Sequence, residues 1–93
     1  MTESVCIEAD RLVTGARNSD YGPPQVDFAR TATMMTSVLW EKLREGCEID
    51  AGDVALLMIC VKLSREVNKP GRDNLVDICG YAKCKQLVEE ADG

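Results

Sequence analysis

The 93-residue sequence contains no histidine, and aromatic residues make up only 4% of it. The absence of histidine removes the commonest general base and every catalytic triad that depends on it. Carboxylates, lysine, tyrosine and metal-bound water are the catalytic groups that remain. We therefore expect that any enzymatic chemistry here uses carboxylates and a metal ion.

A cysteine framework is also missing. The chain has five cysteines, an odd number, and no two of them form a CxxC pair. With no histidine to complete a set of ligands, a zinc site and a disulfide-stapled fold are both disfavoured. We expect no cofactor, or Mg²⁺ if the protein is a hydrolase.

Basic charge and long apolar runs are scarce as well. The chain has eleven Lys and Arg residues and sixteen Asp and Glu residues, which gives a net charge of −5. This charge argues against general nucleic-acid binding. No apolar run approaches the ~20 residues of a membrane span, so no membrane partner is expected. The acidic opening, MTESVCIEAD, does not resemble a secretory signal, and we expect a cytoplasmic protein.

Helical periodicity dominates what is present. The pattern predicts one domain over 1–93 with helices at about 4–14, 26–45, 51–68 and 73–90. The second helix carries an apolar stripe and the third is apolar all round over Val54–Val61, which is typical of a central helix. On the fourth, the predicted inward stripe is Leu75, Ile78, Cys79, Ala82 and Leu87.

This pattern predicts an all-α, small four-helix bundle. A chain of this size buries only roughly 60–65% of its unfolded surface. The consecutive apolar residues Val38–Trp40 also sweep too wide an arc for one core face. We therefore expect the fold to be completed by homo-oligomerisation.

Two stripes of polar residues are predicted to meet where the third helix ends and the fourth begins. Lys62 and Arg65 share one helical face, and Asp73, Asn74, Asp77 and Tyr81 follow at helical spacing on the next helix. In a Mg²⁺–phosphate site, Asp73 and Asp77 would hold the metal while the cations hold phosphate oxygens. On spacing alone, ordinary inter-helix ion pairs are the simpler interpretation.

The connection RNSDYGPPQVDFAR concentrates further polar chemistry around a Gly-Pro-Pro break. Arg17 or Arg30 could bind a phosphate, Tyr21 could stack on a base, and Asp20 could accept from a sugar hydroxyl. Alternatively, Asp20 caps the turn and Tyr21 covers the helix ends without any ligand.

Taken together, these motifs resemble a family of small tailed-phage proteins. The shared pattern runs DYG, F, R, DVALxM, KxxR and DNxxDxxGYA, and it covers about residues 11–83. The layout is also distantly similar to the phage nucleotide-modification-associated domain and to the all-α MazG-like pyrophosphatases, which place an acidic pair on each of two helices. This chain departs from the hydrolases at Asn74, and its second helix offers only Glu41 and Glu45.

The resemblance implies a phage or prophage protein acting in the bacterial host cell, with a nucleotide as its ligand. The first hypothesis is binding or sequestration of a phosphate-bearing nucleotide, by analogy with phage sponges that capture signals of bacterial defence. The second is a Mg²⁺-dependent MazG-like nucleoside triphosphate pyrophosphatase. The third is a structural or protein-interaction module without a ligand, which would use the Val38–Trp40 surface.

Overall fold

The computed structural model describes residues 2–92, and this part of the chain is all-helical. The expected domain 1–93 also includes Met1 and Gly93, which lie outside the described residues. Five helices follow one another: α1 (Val5–Thr14), α2 (Ala16–Tyr21), α3 (Pro24–Arg44), α4 (Ala51–Asn68) and α5 (Arg72–Asp92). The all-α prediction is confirmed, and four of these helices lie close to the expected ranges.

The additional helix, α2, corrects the prediction that Arg17 to Tyr21 belong to a connection between helices. Gly15 interrupts the helical backbone after α1, with φ −119° and ψ −108°, and the chain then turns into a second short helix. Gly22 ends α2 at φ +79° and ψ 174°, a conformation that is essentially restricted to glycine. The break predicted from Gly22-Pro23-Pro24 is therefore real, but it is shorter than expected.

The starts of α3 and α4 follow local rules. Pro24 occupies the first turn of α3, where its missing N–H costs no hydrogen bond. At α4, the Asp50 carboxylate accepts from the Asp53 N–H at 2.9 Å and the Asp53 carboxylate accepts from the Asp50 N–H at 3.0 Å. Asp50 and Asp53 thus form a capping box at the start of α4.

The central helix is α4, which packs against α2, α3 and α5. Contacts between Lys42 and Asp53 at one end and Arg30 and Ser64 at the other show that α3 and α4 run antiparallel. The short turn Lys69–Gly71 likewise brings α5 back along α4, with Lys62 against Asp77. Within residues 2–92, α3 and α5 do not contact each other, so the expected four-helix bundle is not confirmed.

Little of the apolar surface is buried. Among the described residues, only three apolar side chains are fully buried, namely Leu39, Ala55 and Cys60, and burial raises the pKa of the Cys60 thiol. The buried polar side chains are Asp27, Thr31, Asp53 and Ser64. The core is therefore small and partly polar.

Four of the five residues in the inward stripe predicted for the last helix are wrong. Leu75 and Leu87 are about half exposed, and Cys79 and Ala82 are exposed, so only Ile78 is partly shielded as predicted. The other partly shielded residues of α5 are Asn74, Asp77, Tyr81, Lys85 and Val88. The face of α5 that lies against α4 is therefore mixed in character, and its Asp77 pairs with Lys62.

The molecule is elongated, with extents of 48 × 28 × 26 Å and a radius of gyration of 15.8 Å. A compact domain of this length has a radius of gyration of about 12 Å. No helix within residues 2–92 is both long and apolar enough to span a bilayer.

Candidate functional site

A basin of about 410 Å³ lies where α2, the end of α4 and the start of α5 converge. Six of the ten residues predicted to form the site line it: Asp20, Tyr21, Lys62, Asp73, Asn74 and Asp77. Lys69, Pro70 and Gly71, from the turn between α4 and α5, complete the lining. The antiparallel return of α5 along α4 therefore brings the two polar stripes together as predicted.

Both lysines of the basin are engaged in ion pairs. Lys62 Nζ lies 2.8 Å from Asp77 Oδ2, and the Lys62 side chain is only 16% exposed. Lys69 Nζ donates to Asp20 Oδ1 at 2.8 Å. The inter-helix ion pair considered as the simpler interpretation is thus present for Lys62 and Asp77. An anionic ligand entering the basin has to compete with these carboxylates or to arrive with a cation.

Hydrogen bonds brace the turn that forms the floor of the basin. Glu66 Oε1 accepts from the Gly71 N–H at 2.8 Å and from Asn74 Nδ2 at 3.2 Å. Asn74 Nδ2 also lies 3.4 Å from the Lys69 carbonyl oxygen. These contacts occupy the amide nitrogen of Asn74, so the atom this side chain offers to a ligand is its amide oxygen, an acceptor.

The wall that α2 contributes is fastened to the end of α4. Asn68 Nδ2 donates to the Asp20 carbonyl oxygen at 2.7 Å, next to the Lys69–Asp20 ion pair. At Gly22 a Cβ atom would lie 2.8 Å from Asn68 Oδ1, so this close approach requires glycine in addition to the positive φ. The Asp20 carboxylate therefore pairs with a lysine, whereas the sequence suggested that it accepts from a sugar hydroxyl or caps the turn.

Tyr21 stands between the basin and a second, smaller cavity. The guanidinium carbon of Arg65 lies 4.2 Å from the centroid of the Tyr21 ring, a cation–π contact. Arg65, Arg17 and Tyr21 line this cavity of about 120 Å³ together with Val13, Asn18, Gly22, Pro24, Asp27 and Phe28. The Arg65 Nε atom is buried and has no hydrogen-bond partner within residues 2–92.

Arg17 and Arg65 are thus assigned to the smaller cavity, on the other side of the Tyr21 ring from the basin. The sequence predicted one site that contained both arginines and the lysine of α4. The structure divides this set, because Arg65 turns toward α2 while Lys62 turns toward α5.

Arg30 has a different partner from the expected phosphate. Its Nη1 atom donates to the Ser64 carbonyl oxygen at 2.8 Å, and the Ser64 hydroxyl donates to Asp27 Oδ1 at 2.6 Å. Ser64 is fully buried and Asp27 is 4% exposed. This buried network ties α3 to α4 next to the smaller cavity. Sequence reasoning missed Asp27 and Ser64, although Asp53, Cys60 and Ser64 recur at the spacing of one buried helical face.

The two remaining candidates have less specific positions. Asp73 is exposed and lines the basin, and Tyr81 is partly buried on α5 but lines neither cavity. Across residues 2–92, no group of three or more Asp, Glu, Cys or His side chains is arranged to hold a metal ion. Asp73 and Asp77 do not meet a third such side chain in a metal-binding arrangement.

Two large pKa shifts, those of Lys42 and Asp50, lie at the opposite end of α4, away from the basin. Hydrogen bonds from Lys42 to Asp53 and Asp50 raise the pKa of Lys42 to about 12. The bond from Lys42 lowers the pKa of Asp50 to about 2. This cluster fixes the junction of α3 and α4 and contains the capping box, which gives it a structural role.

Comparison of the sequence with known proteins identifies a family and two phage relatives. The family described as "Domain of unknown function (DUF6378)" matches residues 4–89. The Gene 55 protein of Mycobacterium phage D29 is 41% identical over 92 residues, covering 97% of this chain and 56% of the relative. The Gene 55 protein of Mycobacterium phage L5 is 36% identical over 80 residues, covering 85% and 48%. The chain spans about half the length of these curated relatives, and no solved structure matches.

Proposed function

The chain belongs to the DUF6378 family, with relatives encoded by phages, and from this premise we propose that it binds a phosphate-bearing nucleotide in the basin. The observation that carries the proposal is the convergence of six predicted residues from α2, α4 and α5 on one basin of about 410 Å³. This volume lies within the ~300–1,000 Å³ range of small-molecule sites.

The two ion pairs of the basin supply the phosphate contacts by exchanging partners. Lys62 and Lys69 carry the cationic charge, and each is held in place by a carboxylate, Asp77 and Asp20 respectively. A phosphate oxygen would replace the carboxylate at a lysine, and the displaced Asp77 or Asp20 carboxylate would then be free to hold a Mg²⁺ ion bound to the nucleotide. Mg²⁺ is commonly bound by one or two carboxylates together with substrate phosphates.

The rest of the nucleotide meets groups that suit a base or a ribose. The amide oxygen of Asn74 accepts from a ribose hydroxyl or an exocyclic amine, because its nitrogen already donates to Glu66. Tyr21 offers an aromatic edge at the wall of the basin, and Arg65 holds this ring in place from the other cavity. These contacts give orientation, while the lysines give affinity.

Binding or sequestration is a better match to this site than MazG-like hydrolysis of a nucleoside triphosphate. The hydrolases to which the sequence is distantly similar use an acidic pair on each of two helices. Here α5 supplies Asp73 and Asp77, and the other predicted pair, Glu41 and Glu45, belongs to the end of α3 that joins the α4 N-terminus. The three carboxylates of the basin, Asp20, Asp73 and Asp77, do not include an acidic pair on each of two helices, so the basin would hold a nucleotide without the metal array that activates water.

The proposal is tested by thermal stability with defined ligands. The protein is titrated with adenosine and guanosine mono- and triphosphates and with cyclic mono- and dinucleotides, each with and without Mg²⁺. A ligand that binds the folded state stabilises it by about 2.7 kcal/mol at a hundredfold excess over its Kd.

Two variants that remove the same charge localise the effect. Lys62→Gln removes a cation of the basin, whereas Lys83→Gln removes an exposed cation of α5 that bonds only to Gln86. We expect Lys62→Gln to weaken the apparent nucleotide affinity at least about tenfold and so to reduce the ligand-induced stabilisation. Lys83→Gln should retain both. Equal responses of the two variants, or no response to any nucleotide, would reject the basin as the site.

A further inference from the structure

Within residues 2–92, two arginine side chains that line the smaller cavity form no ion pair. Arg11 and Arg44 each pair with a glutamate elsewhere on the chain. In the same part of the chain, the guanidinium groups of Arg17 and Arg65 form neither an ion pair nor a hydrogen bond. Two cations beside one cavity repel each other, and an anion between them relieves this repulsion. The smaller cavity is therefore a candidate anion site.

The Tyr21 ring fixes the positions of both guanidinium groups. Arg17 and Tyr21 are four residues apart in α2, so their side chains lie on the same side of that helix. Arg65 comes from α4, and its guanidinium carbon lies 4.2 Å from the centroid of the Tyr21 ring. Its Nε atom is buried, so its terminal nitrogens are the atoms that a ligand can reach. Because the ring already holds this guanidinium, a bound anion removes less side-chain freedom from it.

The size and lining of the cavity suit one small polar group with apolar surface beside it. The volume of about 120 Å³ corresponds to roughly four water molecules. Asn18 is partly buried and adds a side-chain amide to the two guanidinium groups. Val13 and Phe28 also line the cavity and are 39% and 63% exposed. A ligand that places an oxyanion against the arginines therefore has two apolar side chains to cover with the rest of its body.

The carboxylate of Asp27 limits the charge of the ligand. Asp27 lines the cavity, is 4% exposed, and accepts at Oδ1 from the Ser64 hydroxyl at 2.6 Å. With Arg17 and Arg65, the described lining carries two positive formal charges and one negative, which favours a singly charged anion. A carboxylate meets this requirement and matches the N–H fork of an arginine. A phosphate monoester carries about −1.5 to −2 at pH 7, so Asp27 repels it more strongly.

We propose that the smaller cavity binds the carboxylate of a small apolar acid through Arg17 and Arg65. This site is separate from the basin, whose lining includes neither arginine. Tyr21 lines both cavities and stands between them. The proposal therefore does not depend on nucleotide binding, and either one can fail without the other.

Nuclear magnetic resonance titrations of the isotopically labelled protein test the site with four simple probes. Benzoate carries both features of the proposed ligand, benzamide has nearly its shape without the charge, and acetate has the charge without the ring. Phenyl phosphate replaces the carboxylate by a phosphate. All titrations use a constant ionic strength balanced with chloride. We expect saturable shifts around Tyr21 with benzoate, and at least about tenfold weaker binding of benzamide, acetate and phenyl phosphate.

Two variants that remove the same charge localise the binding. Arg17→Gln removes a guanidinium of the cavity, and Arg44→Gln removes one near the end of α3 that lines neither cavity. Both positions are exposed and helical, so both variants should fold, which circular dichroism checks. The dissociation constant of benzoate should rise at least about tenfold in Arg17→Gln. It should stay unchanged in Arg44→Gln and in Lys62→Gln, which alters the basin alone.

Four results would overturn the proposal. Benzoate that does not saturate the protein, or that binds Arg17→Gln as tightly as the wild type, would remove the site. Benzamide that binds as tightly as benzoate would show that the cavity does not recognise charge. Phenyl phosphate that binds more tightly than benzoate would make a phosphate the ligand in place of a carboxylate. Loss of benzoate binding in Lys62→Gln but not in Arg17→Gln would assign the anion to the basin.

Discussion

The substitution Ser64→Ala tests the buried network that joins α3 to α4. It deletes the hydroxyl that donates to Asp27 Oδ1 at 2.6 Å, at a position where Ser64 is fully buried and Asp27 is 4% exposed. A hydrogen bond to a charged group contributes roughly 1.5–3 kcal/mol, and water cannot easily replace the lost donor at this depth. We expect the free energy of unfolding to fall by about 2 kcal/mol.

The corresponding change in melting temperature follows from the size of the chain. At about 2.1 cal/mol/K per residue, the unfolding entropy of 93 residues is roughly 0.2 kcal/mol/K, so 1 kcal/mol corresponds to about 5 °C. Ser64→Ala should therefore melt about 10 °C below the wild type. Urea unfolding should give a lower midpoint with an unchanged slope, because the surface exposed on unfolding stays the same.

The matched control is Ser37→Ala, which removes an exposed hydroxyl from α3. Surface substitutions of this kind usually change stability by less than 0.5 kcal/mol. If both serine variants melt within ~2 °C of each other, the Ser64–Asp27 bond does not stabilise the fold as we infer.

Two further predictions concern the backbone and the pH dependence. Gly22→Ala should destabilise the chain by about 1–3 kcal/mol, because φ is +79° at this position. Gly71→Ala should not, because a Cβ atom there meets only ordinary van der Waals contacts. Thermal melts of the two variants side by side measure the difference. The pKa of Asp50 is lowered from 3.8 to about 2 by Lys42, so the stability that this pair adds is present above pH 4 and is lost as the pH falls through 2. Asp50→Asn should flatten that part of the stability–pH profile while Glu48→Gln leaves it unchanged, and a profile that both variants share would contradict the assignment.

The sequence was sufficient to predict the helices that strong local signals delimit. The capping residues Asp50 and Asp53, the turn at Lys69–Gly71 and the apolar run Val54–Val61 placed α4 and α5 close to their observed bounds and made α4 central. The same turn brought Lys62 next to Asp77, so most of the basin was predictable from connectivity.

The orientation of α5 and the partners of the arginine side chains could not be predicted in this way, because they depend on which of several possible contacts the folded chain makes. The face that α5 turns toward α4 carries Asp77, which pairs with Lys62, while most of its apolar stripe stays exposed, and periodicity alone does not predict this orientation. Arg65 and Arg30 looked equivalent to Lys62 as phosphate ligands. Only the tertiary structure shows that one lies over Tyr21 and the other bonds to Ser64.

The central claim, capture of a phosphate-bearing nucleotide, is tested most directly by mass spectrometry. The purified protein is incubated with Mg²⁺ and a bacterial nucleotide extract, and both the retained fraction and the flow-through are analysed. We predict an intact nucleotide in the retained fraction, released on denaturation and lost in Lys62→Gln. Conversion of a triphosphate to its monophosphate and pyrophosphate would show hydrolysis instead. An unchanged extract with nothing retained would contradict nucleotide binding and favour an interaction module.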